Sequence, residues 1–442
     1  KLISIGLVIW SMMTALSGTA KSFFSLSVYR VGVGIGESSA SPASYSLLSD
    51  YFPPKVRTTI LAIYSSGVYI GAGIGVFLGG WIVELWNNAY PDPSLAPLGL
   101  RGWQAAFMGV GIPGLILACF TWQIKEPKRG MSDGIETPEH PHPFKEMLNE
   151  FVGITPLALL GSKQYKKLLG INFLIALMIA IASYFLIILT GDMVQWIAFG
   201  FGCYVVTCWI QGLQIRDYAT YSMIFKSKAL LFSVIGFPFL SFITYSGAAF
   251  GPAFYMRNFG VSEGEVATVL GLTAAIAGMI GVIFGGIIGD KLRKKYVNGR
   301  FYVAFLVILL IAPFNLGVLY SENLYVSYIW NFIVQLISPM WVGIAPAIVA
   351  DLVMPRMRAI AGAFYILMIS MLGLALGPYS VGLLSDTLIS QGYSDAEGLK
   401  TALAASMGVL IISATTLLLA CRYLPKDESS KLERAKQLGE VI

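Results

Sequence analysis

Ser49-Asp50-Tyr51-Phe52-Pro53-Pro54-Lys55-Val56-Arg57 is answered 301 residues later by Ala350-Asp351-Leu352-Val353-Met354-Pro355-Arg356-Met357-Arg358. Asp, Pro, a basic residue and Arg recur in one register, and Tyr64 and Tyr365 continue it. One residue further on, Gly71-x-x-x-Gly75-x-x-x-x-Gly80 matches Gly373-x-x-x-Gly377-x-x-x-x-Gly382. Self-similarity at so long an offset predicts two halves of like topology.

The surroundings of the repeat say what the halves are made of. The 442 residues are 56% apolar and only 12% charged, with a mean hydropathy of +0.72. A soluble chain carries about twice that charged fraction, so most of this surface faces lipid. A bilayer core about 30 Å thick requires about 20 apolar residues of helix. Twelve candidate spans meet that need: residues 2–20, 23–48, 59–85, 103–124, 168–190, 194–215, 230–255, 266–289, 301–320, 325–350, 360–384 and 401–421. The chain reads as an all-α membrane protein, and parallel repeats of this kind belong to alternating-access transporters.

The net charge of +6 does not indicate nucleic acid, because Lys and Arg fall in short clusters between apolar stretches rather than on one face. Cationic loops stay cytoplasmic. With Lys1 inside, the inner loops take clusters such as Lys163, Lys166 and Lys167 or Arg293, Lys294 and Lys295, while the outer loops hold only Lys21, Arg101, Arg257 and Lys400. Both termini are then cytoplasmic. The four cysteines lie in or at the ends of apolar segments without metal spacing and read as inert thiols. No HExxH, GxSxG or Walker signature points to an enzyme.

The reading divides the chain as follows: an N-terminal half over 1–124; a Pro-rich cytoplasmic linker over 125–167; an added transmembrane hairpin over 168–215; a linker over 216–229; a C-terminal half of six helices over 230–422; and a cytoplasmic tail over 423–442. His140 and His142 in the first linker belong to a solvated loop, and no metal or cofactor is expected. In the repeat register Arg300 is the counterpart of Lys1, yet two spans precede Arg300 in its half. The first half is therefore expected to be two helices short, its four spans being helices 3 to 6 of the full plan.

These features resemble the major facilitator superfamily. Its loop signature G-x-x-x-D-(K/R)-x-x-x-(K/R) is matched by Gly286-Ile287-Ile288-Gly289-Asp290-Lys291 and the basic run ending at Arg300. The series Gly71, Gly75, Gly79 and Gly80 is similar to the antiporter-associated motif, with Val76 where proline is usual. Within the superfamily, Arg30-Val31-Gly32-Val33-Gly34-Ile35-Gly36-Glu37, Arg101-Gly102-Trp103-Gln104-Ala105-Ala106-Phe107 and Lys125-Glu126-Pro127-Lys128-Arg129-Gly130 look like the Spinster group. The resemblance implies a monomeric two-half helical bundle that moves a small amphipathic, anionic substrate, a lysophospholipid or sphingoid phosphate, with protons as the coupling ion and membrane lipids as its surroundings. An organic-anion or drug efflux carrier and a non-transporting receptor or scaffold stand as alternatives.

Arg30 and Glu37 lie about 13 Å and 24 Å along their span from Lys21, at 1.5 Å per residue. A charge at that depth needs a partner or a water-filled cavity. Burial raises a carboxyl pKa and a nearby guanidinium lowers it, so Glu37 is read as the proton-coupling acid. Arg30 either pairs with Glu37, as a coupling partner or a helix pin, or holds the substrate's anionic group. Tyr64, Tyr69, Tyr245, Trp330, Asn331, Gln335 and Trp341 are candidates for the substrate cavity. Asp50, Arg57, Asp290, Lys291, Asp351 and Arg358 lie at the cytoplasmic ends of spans and read as gate latches that exchange partners when the halves rock, with topogenic charge as the alternative.

Overall fold

The computed structural model describes residues 1–134, 152–153, 155–156 and 165–440. His140, His142 and most of the linker lie outside the described residues. The described residues are almost entirely helical and contain no strand. The first half holds α1 (Leu2–Ser17), α2 (Phe23–Glu37), α3 (Ala40–Tyr51), α4 (Arg57–Ala89) and α5 (Gly102–Trp122). Next come α6 (Tyr165–Thr190), α7 (Met193–Arg216) and the short α8 (Tyr218–Phe225). The second half runs through α9 (Lys228–Phe259), α10 (Glu263–Lys295), α11 (Gly299–Tyr320), α12 (Leu324–Ile337), α13 (Ile344–Leu352), α14 (Arg358–Met368), α15 (Leu376–Ser390), α16 (Asp395–Ser406) and α17 (Val409–Ser429), and α18 (Lys431–Gln437) closes the described chain.

Among the described residues, ten helices are long and apolar enough to cross a membrane, not twelve. The helix in 2–20 is only the 16 residues of α1. The span 23–48 is interrupted at Ser38 and Ser39. Pro42 explains the interruption: it has no N–H to give to the carbonyl of Ser38, and its ring crowds that carbonyl. The repeat mate of this span breaks at the same register, where α12 passes through a 3-10 turn at Ser338–Trp341 carrying Pro339. Two equivalent spans are thus broken at equivalent depth.

In the first half α1 packs on α2 and α5, and α4 on α5; in the second, α9 packs on α17 and α10 on α11 and α12. Glycines bring α1 and α2 together, with Gly36 against the backbone of Gly6 and Trp10 and Gly32 against Met13. The main buried cluster lies in the second half and centres on residues such as Phe237, Phe301, Ile344 and Met357. Its halves meet chiefly along α4 and α10. There the glycine of the loop signature is needed for space, since a Cβ on Gly286 would lie 2.5 Å from that of Ala62. The α6–α7 hairpin turns at Gly191, in the left-handed region at φ 79°, and leans on the second half. Trp196 meets Tyr379 edge-on at 5.3 Å, and Trp209 stacks on Phe364 at 5.9 Å.

Candidate functional site

The repeated segments that decide the fold also build its most charged site. Pro53 and Pro54 follow the end of α3, and Pro355 follows the end of α13. Each half therefore turns at this end of the bundle and starts a new helix on Arg57 or Arg358. The two halves then exchange partners. Arg57 of the first half pairs with Asp351 of the second, and Arg358 of the second pairs with Asp50 of the first at 3.0 Å. The repeat mates are thus reciprocal.

Asp133 joins the two pairs, receiving Arg57 at 3.0 Å and also Arg358. Arg300 adds a third cation: it pairs with Asp351, reaches Asp290 at 3.3 Å and donates to the Pro54 carbonyl at 2.9 Å. Arg57, Arg300 and Arg358 are at most 2% exposed, and Asp50, Asp290 and Asp351 at most 8%. Three arginines face four aspartates, and Lys431 supplies the fourth positive charge, with its Nζ donating to the Asp351 carbonyl at 2.9 Å. Buried charges persist when each is paired and hydrogen-bonded. Burial raises the Asp50 carboxyl above its usual value, although the Gly130 N–H and the Arg358 guanidinium pull the other way.

Asp290, the acid of the loop signature, caps a helix of the opposite half. It accepts the N–H groups of Thr58 at 3.3 Å and Thr59 at 2.8 Å, together with the Thr59 hydroxyl at 2.7 Å. These amides belong to the first turn of α4, which has no intrahelical acceptor for them, and a carboxylate there also meets the positive end of the helix. Lys291 stays outside this network: its side chain is exposed and forms no ion pair among the described residues. One helical step separates it from Asp290 and turns it to the outer face, so Arg300 takes the place expected for it.

Beside the network, Arg356 is held by Asp217 at 2.6 Å and by Glu440 at 2.7 Å. Burial alone would raise the Asp217 carboxyl, but the bonds from Arg356 and Thr220 outweigh it and hold it below the usual range.

Further along the helices that carry Asp50, Arg57 and Arg358, and joined by Tyr245 of α9, lies a cluster of phenols drawn from both halves. Tyr45 meets Tyr64 edge-on at 5.7 Å, and Tyr69, Tyr245 and Tyr365 are within electrostatic reach of Tyr45 and of one another. Tyr69 rests on Gly278. Asn331, the repeat mate of Arg30, donates to the Thr273 hydroxyl at 3.4 Å, and Gln335 is half-buried one turn further along α12. Two aromatic candidates lie elsewhere. Trp330 packs on Phe314 at 5.5 Å and on Gly317, in the seam of α11 and α12. Trp341 is buried in the core, stacked on Phe237 at 5.6 Å.

Arg30 and Glu37 are both on α2, both exposed, and neither forms an ion pair among the described residues. Seven residues place them about 10 Å apart along the axis, which is too far for direct contact. The pairing alternative for Arg30 is therefore not realised. Its guanidinium sits over the ring of Phe107, 5.8 Å from the centroid.

The sequence reading did not find Asp133 or Lys431. Arg300 had a signal, as the end of the basic run in the loop signature, whereas Asp133 sits in a polar loop and Lys431 in a polar tail where nothing distinguishes them from solvated charges.

The sequence profile of the Major Facilitator Superfamily matches residues 1–378. An MFS-type efflux pump of Mycolicibacterium smegmatis is 23% identical over 94% of this chain and 76% of its own length. A sphingosine-1-phosphate transporter of Danio rerio is 22% identical over 99% of this chain and 74% of its own. Against the spinster protein of Drosophila melanogaster and the human spinster homolog 1, the chain spans 62% and 60% of their lengths. Among solved structures, a bacterial homologue of the human lysosomal transporter Spinster, inward-facing and unoccupied, superposes with a TM-score of 0.61 at 22% identity, over 96% of this chain and 83% of the other.

Proposed function

The chain belongs to the Major Facilitator Superfamily, with its similarities in the Spinster group, and from that premise we propose that it moves a small anionic amphiphile across the membrane by alternating access coupled to protons. The reciprocal exchange of Arg57–Asp351 and Arg358–Asp50 between repeat mates carries this reading. An ionic latch of that symmetry holds the halves together at one end, and its breaking frees them to rock. The excess of cations at that end supports a cytoplasmic position for it. Glu37 takes the role of coupling acid and Arg30 that of headgroup ligand, since both are exposed on α2 and form no ion pair among the described residues. The cross-half phenols Tyr45, Tyr64, Tyr69, Tyr245 and Tyr365 line the path beyond the latch.

The sphingosine-1-phosphate transporter among the relatives and the Phe107 ring beneath the Arg30 guanidinium support this substrate class. The efflux pump among the relatives supports a second reading, export of an organic anion or drug by the same mechanism. Reconstituted into proteoliposomes, Glu37→Gln is expected to abolish uptake driven by a pH gradient while substrate exchange at equilibrium persists. Gradient-driven uptake at the wild-type rate would remove Glu37 from the mechanism, and flux of drug-like anions without flux of lysophospholipid would favour the second reading.

A further inference from the structure

Lys21 and Arg101 are two of only four cations in the outer loops, and the fold brings them to one cavity. It measures about 440 Å³, with Lys21, Ser22 and Phe23 on one wall and Arg101, Trp103 and Gln104 on the other. The α2–α3 run leads from this cavity to Asp50, so the cavity and the ionic latch lie at opposite ends of the first half.

Gln104 fixes the two walls to each other. Its side-chain carbonyl accepts the Arg101 N–H at 2.9 Å, and its amide donates to the Ala20 carbonyl at 3.0 Å. Gly18 permits this approach, because a Cβ there would lie 2.4 Å from the Gln104 carbonyl oxygen. Both α2 and α5 begin at the cavity, so two positive helix ends converge on it together with two side-chain cations. Lys21 and Arg101 are exposed, and neither forms an ion pair among the described residues. Two cations beside two helix N-termini suit a phosphate, which carries up to two negative charges and several acceptor oxygens, better than a single carboxylate.

The rim is apolar, since Phe23 and Phe24 are 87% and 77% exposed and offer a surface on which an acyl chain can lie. The same two helices lead inward. Trp103 meets Phe107 edge-on at 6.1 Å, and Phe107 carries the Arg30 guanidinium. Cations at the mouth are thereby followed, about 13 Å along α2, by a cation within the span.

We propose that this cavity receives the phosphate-bearing headgroup of an anionic amphiphile, with its chain along Phe23 and Phe24, and passes the headgroup on to Arg30. The hand-over rests on the transport reading of Arg30 given above; the cavity itself does not. The probe is a fluorescent dodecyl phosphate, titrated onto the protein in phosphatidylcholine nanodiscs, with the matching fluorescent dodecanol as the uncharged control. The double variant Lys21→Gln/Arg101→Gln is expected to bind the phosphate probe about tenfold more weakly, the scale of losing charge-assisted hydrogen bonds, and the alcohol unchanged. Lys21→Arg/Arg101→Lys, which keeps both charges, is expected to retain binding of the phosphate probe. Equal affinity of wild type and the glutamine variant for the phosphate probe overturns the proposal, and so does full competition by inorganic phosphate, which lacks the chain. Competition by phosphatidylglycerol added to the discs would place a bilayer lipid in the cavity and overturn the hand-over, whereas its absence supports passage of the transported amphiphile. Loss of flux in Arg30→Ala with an unaffected double variant would sink this proposal and leave the transport reading standing. Weakened probe binding in the double variant with normal flux in Arg30→Ala would do the reverse.

Discussion

Arg57 touches Asp351, Asp133 and the Ser49 carbonyl while only 1% exposed, so its removal leaves the buried Asp351 and the half-buried Asp133 carboxylates short of a partner. Truncating one member of such a set costs about 3–5 kcal/mol, whereas removing both members of a pair costs less than the two single losses together. Arg57→Ala and Asp351→Ala are each expected to lower the thermal unfolding temperature, with the double variant less destabilised than additivity requires. Strict additivity in that cycle would show that the pair is not coupled. Asp217 sits at the edge of the network and has its own pH dependence. Its carboxyl is held below the usual range in the folded chain, so its contribution is present above the unfolded carboxylate pKa of about 4 and is lost as pH falls through the lowered value. Thermal stability followed on the acid side should therefore show a step that Asp217→Asn removes; an identical profile in the variant would take Asp217 out of the account.

Helices in this protein are shaped by residues that hydropathy does not weigh. Pro42 and Pro339 break two repeat-related spans whose apolar character continues through the break, since a missing N–H changes the hydrogen-bond ladder without changing polarity. Packing also departs from the repeat. Gly373 and Gly377 of the second half press on α9 near Ser241 and Phe242, while Gly71, Gly75, Gly79 and Gly80 of the first half meet nothing within 4 Å among the described residues. Gly286 is different, for it closes α10 onto α4 at Ala62 and Thr58. Gly286→Val forces these helices apart and is expected to cost about 1–3 kcal/mol, the usual scale of overpacking. Because Asp290 caps α4 one turn away, the same variant should expose the Thr58 and Thr59 amides, which hydrogen exchange would register. Wild-type protection at both amides would mean that the cap holds without the close approach.

At the scale of the whole molecule, the halves are joined at one end by buried charge and close glycine contacts, and alternating access requires that join to come apart. A Cβ on Gly289 would lie 3.4 Å from the Cγ2 of Thr58 across the interface, and since a cysteine sulfur at 58 would occupy a γ position, cysteines at both sites come within bridging reach. Thr58→Cys/Gly289→Cys is expected to cross-link under oxidation, to stop transport, and to recover with reductant. Unimpeded flux by the cross-linked protein would show that the halves do not separate here. What the amino-acid sequence determined by itself was the class of molecule: apolar runs long enough for a bilayer, a repeat at offset 301, and the acid and arginine of each repeated loop. These are properties of composition and order, and they survive without coordinates. The tertiary structure alone decided which charge meets which, because Arg57 and Asp351 are 294 residues apart and Asp50 and Arg358 are 308 apart. It brought Asp133, Arg300 and Lys431 into the latch, left Lys291 outside, parted Arg30 from Glu37, and set Lys21 beside Arg101. Pair energies depend on distance and burial, and neither quantity exists until the chain has folded back on itself.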